Sequence, residues 1–199
     1  SSYFAKEDIQ TAIVSLLVQS ATETGNQVSF VTFTDRIERF VPPQSGQKEN
    51  IRIVESLKND KVRGVHTDLN CVFEFLNTLQ ITPSLVFVLS DFMAPYNYTR
   101  SLKNLSQKHD VVPVIISDIR EETIPKVRGF VAVRDLETER IMHLDLTKGL
   151  VSDLRYAALF RKLNLECFTL RTDQDEEQWV RLFFDFFDKK IRRRSRLKR

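Results

Sequence analysis

The sequence predicts an α/β fold, a mostly parallel sheet with helices on both faces. Three observations carry this reading. Apolar segments of strand length alternate with segments whose apolar residues recur at helical spacing. Residues 85–89 (LVFVL) and 111–116 (VVPVII) are apolar without alternation, the mark of strands covered on both sides. The chain has 199 residues, 42% hydrophobic and 29% charged, which suits one folded domain with a core.

Residues 6–21 form the first predicted helix. Ile9, Ile13, Leu16 and Leu17 repeat at helical spacing, Ala12, Val14 and Val18 widen the apolar face, and Gly25 offers a left-handed cap. Residues 27–34 (QVSFVTFT) are rich in β-branched and aromatic side chains and predict a strand. A second strand over 36–41 is stopped by Pro42-Pro43, as suits an edge. Residues 48–58 make a short helix with Ile51, Val54 and Leu57 facing inward. After a polar loop over 60–66, Thr67 serves as N-cap of a helix that runs to about residue 79 on Leu69, Val72, Phe73 and Leu76.

Pro83 breaks the chain ahead of the strand at 85–89, which leaves Ser90-Asp91-Phe92 at its carboxyl end. Residues 99–108 predict a helix and 111–117 a strand, where Pro113 signals an edge or a bulge. Residues 129–134 and 140–145 alternate around a turn-like 137–139, so a hairpin over 129–145 is inserted in the α/β alternation. A helix over 151–163, a strand over 166–171 and a helix over 174–192 follow. In the last helix Trp179, Leu182, Phe183, Phe186 and Phe187 form a helical stripe that predicts core.

Composition narrows the function classes. No apolar run approaches the ~18 residues of a membrane span, and no stretch has the pattern of a signal peptide. Cys71 and Cys167 are too few for a disulfide framework, and three scattered histidines disfavour a zinc site. The net charge of +3 is uneven: residues 189–199 hold eight Lys and Arg, and without them 22 basic residues face 27 acidic ones. This basic tail is read as a helix end suited to the negative pole of the dipole, or as a patch for a polyanion. Exposed aromatics interleaved with basic residues, as a nucleic-acid stacking platform requires, are missing from it, which disfavours nucleic acid as a partner.

In open α/β sheets, ligands sit beyond the carboxyl ends of the strands. Two polar loops meet that description, Gly64-Val65-His66-Thr67-Asp68 and Ser90-Asp91-Phe92. Thr67 and Asp91 are the candidate metal ligands, because a hydroxyl and a carboxylate converging there form a hard oxygen site for Mg²⁺ or Mn²⁺. The plainer alternative is that each only caps the helix that follows it. No Gly-rich phosphate loop occurs, Cys71 and Cys167 read as packing residues, and His109-Asp110 reads as a helix end followed by a strand start.

With these pieces in order, the sequence resembles the von Willebrand factor type A fold and, within it, domain-of-unknown-function family 58. The resemblance is carried by VTFTD at 31–35 with VPP at 41–43, Thr67-Asp68-Leu69, LVFVLSDF at 85–92, KHDVV at 108–112, residues 118–122 with Pro125 and Gly129, and DLET at 135–138. It spans about residues 6 to 188, and the expected organisation is a domain over 1–188 with 189–199 as the basic tail. It implies a Rossmann-like sandwich with a metal-ion-dependent adhesion site: an Asp-x-Ser-x-Ser loop, a Thr and an Asp, the last two falling on Thr67 and Asp91. It does not imply hydrolysis. An acidic side chain of a partner would fill the open place on the metal, and the proteins would be cytoplasmic helpers of a MoxR-type AAA+ ATPase in assembling or activating other proteins.

Three departures stand out. No Asp-x-Ser-x-Ser precedes the first helix, although Ser1-Ser2 and Lys6-Glu7-Asp8 fit the residues that follow that loop. The expectation is an N-terminal truncation: the first, central strand and most of the metal loop would precede Ser1, residues 27–34 and 84–90 would flank the strand's place, and this fragment would bind Mg²⁺ weakly or not at all. His66 replaces a Gly before the Thr, and Glu139 replaces the Gly of the hairpin turn. Two other functions stay open: a Mg²⁺-dependent hydrolase at the same sheet end, with His66 or Asp68 as base or nucleophile, and a polyanion binder acting through the tail.

Overall fold

The computed structural model describes residues 6–59, 64, 66–93, 96–117, 123–124, 130–134, 141–145, 150–151, 155–174 and 176–197. The elements in chain order are α1 (Lys6–Glu23), β1 (Val28–Phe33), β2 (Ile37–Gln44), α2 (Gln47–Asn59), α3 (Leu69–Thr78), β3 (Leu85–Ser90), a 3₁₀ turn at Tyr96–Tyr98 and α4 (Thr99–Lys108). Then come β4 (Asp110–Ser117), β5 (Thr123–Ile124), β6 (Phe130–Arg134), β7 (Ile141–Asp145), β8 (Leu150–Val151), α5 (Arg155–Lys162), β9 (Phe168–Arg171) and α6 (Glu176–Leu197).

The fold is mixed α/β around a three-stranded parallel sheet in the order β3-β4-β9. Side-chain alternation along β4 explains its unbroken apolar sequence. Val111 and Ile115 enter one core with Leu69, Phe73, Leu102 and Phe160 from α3, α4 and α5. Val112, Val114 and Ile116 enter the other with Ile9 and Ile13 of α1 and Trp179 and Phe183 of α6. Each face of the sheet thus has its own helical cover. Phe183 and Phe187 stack at 6.0 Å between centroids, and Phe168 of β9 meets Phe183 edge-on at 5.7 Å.

β1 and β2 form a separate antiparallel pair. Among the described residues β1 does not pair with β3, so each has one edge outside any ladder. Between these sheets lies a cleft of about 2130 Å³, with Val31 of β1, Phe87 of β3 and Leu17 of α1 among its walls. This open side explains why β3, predicted to be covered on both faces, buries fully only Val88 and Ser90.

Several expectations need correcting. Asp68, not Thr67, caps α3: its backbone is extended (φ −118°, ψ 100°), and Oδ1 accepts the Asn70 N–H at 2.8 Å. In α2 the inward residue is Ile53, fully buried, whereas Ile51 is 51% exposed. Leu182, assigned to the core stripe of α6, is also exposed. Pro113 sits on the middle strand, but the ladder from β4 to β9 begins only at Val114, so the proline has a paired neighbour on one side alone. Pro42-Pro43 do not end β2, which continues to Gln44 with an irregular register: Val28 pairs with Gln44 and Phe30 with Val41, so the prolines fall in a bulge. Val151 belongs to β8, paired antiparallel with β5, rather than to the following helix. The inserted hairpin is present as β6 and β7, with Phe130 opposite Asp145. Its turn, including Glu139, lies outside the described residues. The last helix reaches Leu197, into the basic segment.

Candidate functional site

The site is assembled at the carboxyl end of β3, where the strand runs out of apolar residues and Ser90-Asp91-Phe92 turns the chain. Ser90 Oγ accepts the Phe92 N–H at 3.1 Å, and Asp91 Oδ1 accepts the Met93 N–H at 3.1 Å. Phe92 stands at φ 56°, a left-handed conformation that a bulky residue rarely adopts. Its ring compensates by burial against Tyr156 and Phe160 of α5. The backbone at 91–93 is thereby fixed, and Asp91 projects from a held turn rather than a loose loop.

The second polar loop is anchored to the end of β1 and to β2. Asp68 N–H donates to Thr34 O at 3.0 Å, which ties the start of α3 to the end of β1. Gly64 N–H donates to Glu38 Oε1 at 2.8 Å, and Thr34 Oγ1 donates to the same oxygen at 2.7 Å. A Cβ on Gly64 would collide with the Thr34 side chain and the Asp35 carboxylate, so the close approach of this loop requires glycine. With Asp68 doing the capping, Thr67 is released from that role and lines the cleft, as Asp91 does. The two predicted ligands therefore face one space.

Sequence reasoning missed a third member. Lys6, in the first turn of α1, lines the same cleft, and its Nζ lies 3.2 Å from Asp91 Oδ2. The nearest signal was the Lys-x-Asp spacing at the helix start. A further polar group on the cleft wall is Thr32 of β1, whose Oγ1 is buried without a hydrogen-bond partner among the described residues.

The donor set can be tested against a divalent ion. The two predicted ligands offer one carboxylate, already paired with an ammonium, and one neutral hydroxyl. Mg²⁺ surrenders water reluctantly and needs more negative charge than this. Among the described residues no group of three or more His, Cys, Asp and Glu is placed to hold a metal. These residues do not by themselves fit a Mg²⁺ or Mn²⁺ site.

The other candidates fall into structural roles. His66 is exposed. Burial, then the charges of Asp68, Asp35 and Glu74, push the Cys71 thiol up, which keeps it protonated and unreactive. Cys167, read from the sequence as a packing residue of the last strand, is instead exposed, one residue ahead of β9. His109 caps the end of α4 and Asp110 opens β4, as the sequence suggested.

The sequence profile of the family described as Protein of unknown function DUF58 matches residues 1–162. Uncharacterized proteins of Mycobacterium bovis and Mycobacterium tuberculosis are 22% identical over 181 residues, which is 85% of this chain and 57% of theirs. The chain thus spans little more than half the length of those relatives. An uncharacterized protein of Mycobacterium avium is 27% identical over 79% of this chain and 96% of its own. Among solved structures, the conserved hypothetical protein BatB from Bacteroides thetaiotaomicron superposes with a TM-score of 0.58 at 12% identity, over 92% of this chain and 87% of that one. An aerotolerance-related membrane protein from Bacteroides fragilis gives 0.52 at 9% identity, over 82% and 80%. At such identities the likeness concerns the fold. Among the described residues no helix is long and apolar enough to cross a membrane.

Proposed function

Taking as premise that this chain belongs to the DUF58 family, we propose that it is a non-enzymatic protein-binding module, built on a von Willebrand factor A-like plan, that recognises an acidic partner protein at the carboxyl end of β3. In this reading it works in the cytoplasm beside a MoxR-type AAA+ ATPase, in the assembly or activation of other proteins. The observation that carries the reading is that Lys6 from α1 pairs with Asp91 from the end of β3, and that Thr67 from the loop before α3 lines the same cleft. Sheet ends are where α/β folds place their ligands. In this reading the cleft between β1 and β3 is the place of the first strand of the A-type plan, and the open edges on both of its sides support that reading.

The test is direct binding between this protein and the MoxR-type ATPase of the same organism, measured by biolayer interferometry. Asp91→Ala is expected to weaken binding about tenfold or more, as loss of a central polar contact does. Glu177→Ala, at an exposed position on α6, is expected to leave it unchanged. Equal binding by wild type and Asp91→Ala would remove the β3 end from the interface.

A further inference from the structure

We propose that the end of α6 is a docking segment for an anionic lipid surface, a function separate from recognition at the β3 end. Charge is segregated along this one helix. Residues 176–188 hold four acidic residues and one basic, Arg181, whereas residues 189–199 hold eight Lys and Arg and no acid. The helix dipole favours cations only within the last turn, and Lys189, Arg192 and Arg193 lie before it. Helix stability alone therefore does not account for the segment. The rest of the chain sets 22 basic residues against 27 acidic ones, so an anionic surface attracts this end and repels the body.

The fold fixes where this charge emerges. Lys190 Nζ lies 2.8 Å from Oδ1 of Asp110, the first residue of β4, and 3.0 Å from Oε2 of Glu166, ahead of β9. Asp110 is in register with Leu85, the first residue of β3. Lys190 thus marks the amino edge of the parallel sheet, and residues 191–197 carry the helix about 10 Å further. Asp91 follows the last residue of β3, so the length of that strand, on the order of 15 Å, separates the two places. Two apolar side chains of the same helix, Leu182 and Phe184, are 46% and 41% exposed, and Lys189 is exposed as well. A lipid interface takes up apolar groups and cations together. Nucleic acid would call for aromatic residues among the cations to stack on bases, and residues 189–199 include none.

The experiment is flotation of the whole chain with vesicles of equal parts phosphatidylcholine and phosphatidylglycerol, and with vesicles of phosphatidylcholine alone, at low and high salt. Binding to the anionic vesicles only, weakened by salt, is the expected result. The triple variant Arg192→Glu/Arg193→Glu/Arg194→Glu should weaken it about tenfold or more. Arg100→Glu/Lys103→Glu, at exposed positions on α4, should leave it unchanged. No binding to the anionic vesicles would overturn the proposal, as would binding that survives the triple reversal or falls equally in the α4 variant. Leu182→Ser/Phe184→Ser should weaken binding about threefold, since interfacial affinity scales with buried apolar area. No change there would overturn the lipid reading in favour of a purely ionic polyanion site. Short duplex DNA is titrated in parallel by fluorescence anisotropy, and an affinity for it above that for the vesicles would assign the segment to nucleic acid and overturn the proposal too.

Discussion

Phe92 and Phe160 meet edge-on, with ring centroids 5.0 Å apart, and the contact is made by a residue whose backbone stands at φ 56°. Left-handed backbone costs a non-glycine residue roughly 1–2 kcal/mol, while loss of a buried Phe ring costs about 3–5 kcal/mol. Packing therefore outweighs strain and holds Asp91 in place. Both Phe92→Ala and Phe92→Gly should destabilise the fold, but glycine, which escapes the strain, should be the milder by about 1 kcal/mol. Urea unfolding of the two variants checks the order, which is the reverse of the usual one. Alanine proving equal or milder would mean that no strain is stored at this position.

The fold should lose stability in mild acid through His109. The ring is buried at the end of α4, and its Nδ1 accepts the Ser84 N–H at 3.2 Å. Burial, then the charge of Lys108, hold the imidazole below the usual histidine value. The unfolded chain thus takes up a proton more readily than the folded one. The contribution of neutral His109 is complete above about pH 6.5 and drains away as pH falls from there toward the folded value. Urea midpoints between pH 7.5 and 5 should show this slope, and His109→Gln should flatten it. An unchanged slope would assign the loss to other groups.

Gly64→Ala should destabilise by about 1–3 kcal/mol, the usual range for forcing an atom into a filled site. The new methyl meets the short, anchored Thr34 side chain, which has little room to give. A lowered thermal midpoint is the expected result. Gly64→Ala combined with Thr34→Ala should recover part of the loss, and no recovery would locate the clash elsewhere.

Lys190 divides the basic segment into two parts with different behaviour. Its side chain is 10% exposed and bridges Asp110 of β4 and Glu166 ahead of β9. Burial presses its pKa down, but hydrogen bonds and charge from Asp110 and Glu166 press it up further, so it ends above the ordinary lysine value. Lys190→Met should cost about 1–2 kcal/mol, less than a fully buried pair because both carboxylates are partly exposed. Deleting residues 192–199 should shift stability by no more than ~0.5 kcal/mol. A large loss on that deletion would show that the end of α6 docks on the body.

The elements that were legible in the sequence are those with one dominant periodicity. The stripe of α1, the alternation of the hairpin and the unbroken apolarity of β4 each admit one reading. What was illegible depended on tertiary neighbours. Thr67 and Asp68 are both good caps, and the choice between them followed from the Asp68 N–H reaching Thr34 O across the fold. Ile51 and Ile53 are equally apolar, and the packing of α2 on the body buried Ile53 and left Ile51 exposed. Asp91 could be found from its place after an apolar strand, but Lys6 could not, because a lysine in a first helical turn reads as a solvated charge. The cleft was foreseen through the family resemblance alone, as a strand's place flanked by 27–34 and 84–90, since pairing between distant strands is not written in local pattern.

The proline pair of β2 has a consequence for how these molecules behave toward one another. A strand lying outermost in a sheet is a template for a passing chain, because its unused N–H and C=O groups invite one more ladder. Pro42 and Pro43 are exposed, carry no N–H, and bend the strand at a bulge. A second molecule approaching from that side would find a donor missing and the path kinked. The outward flank of the β1–β2 ribbon is thus guarded against edge-to-edge aggregation by two residues, even as its inward flank faces the cleft. Replacing both prolines by threonine would restore the donors and make this surface prone to self-association as concentration rises.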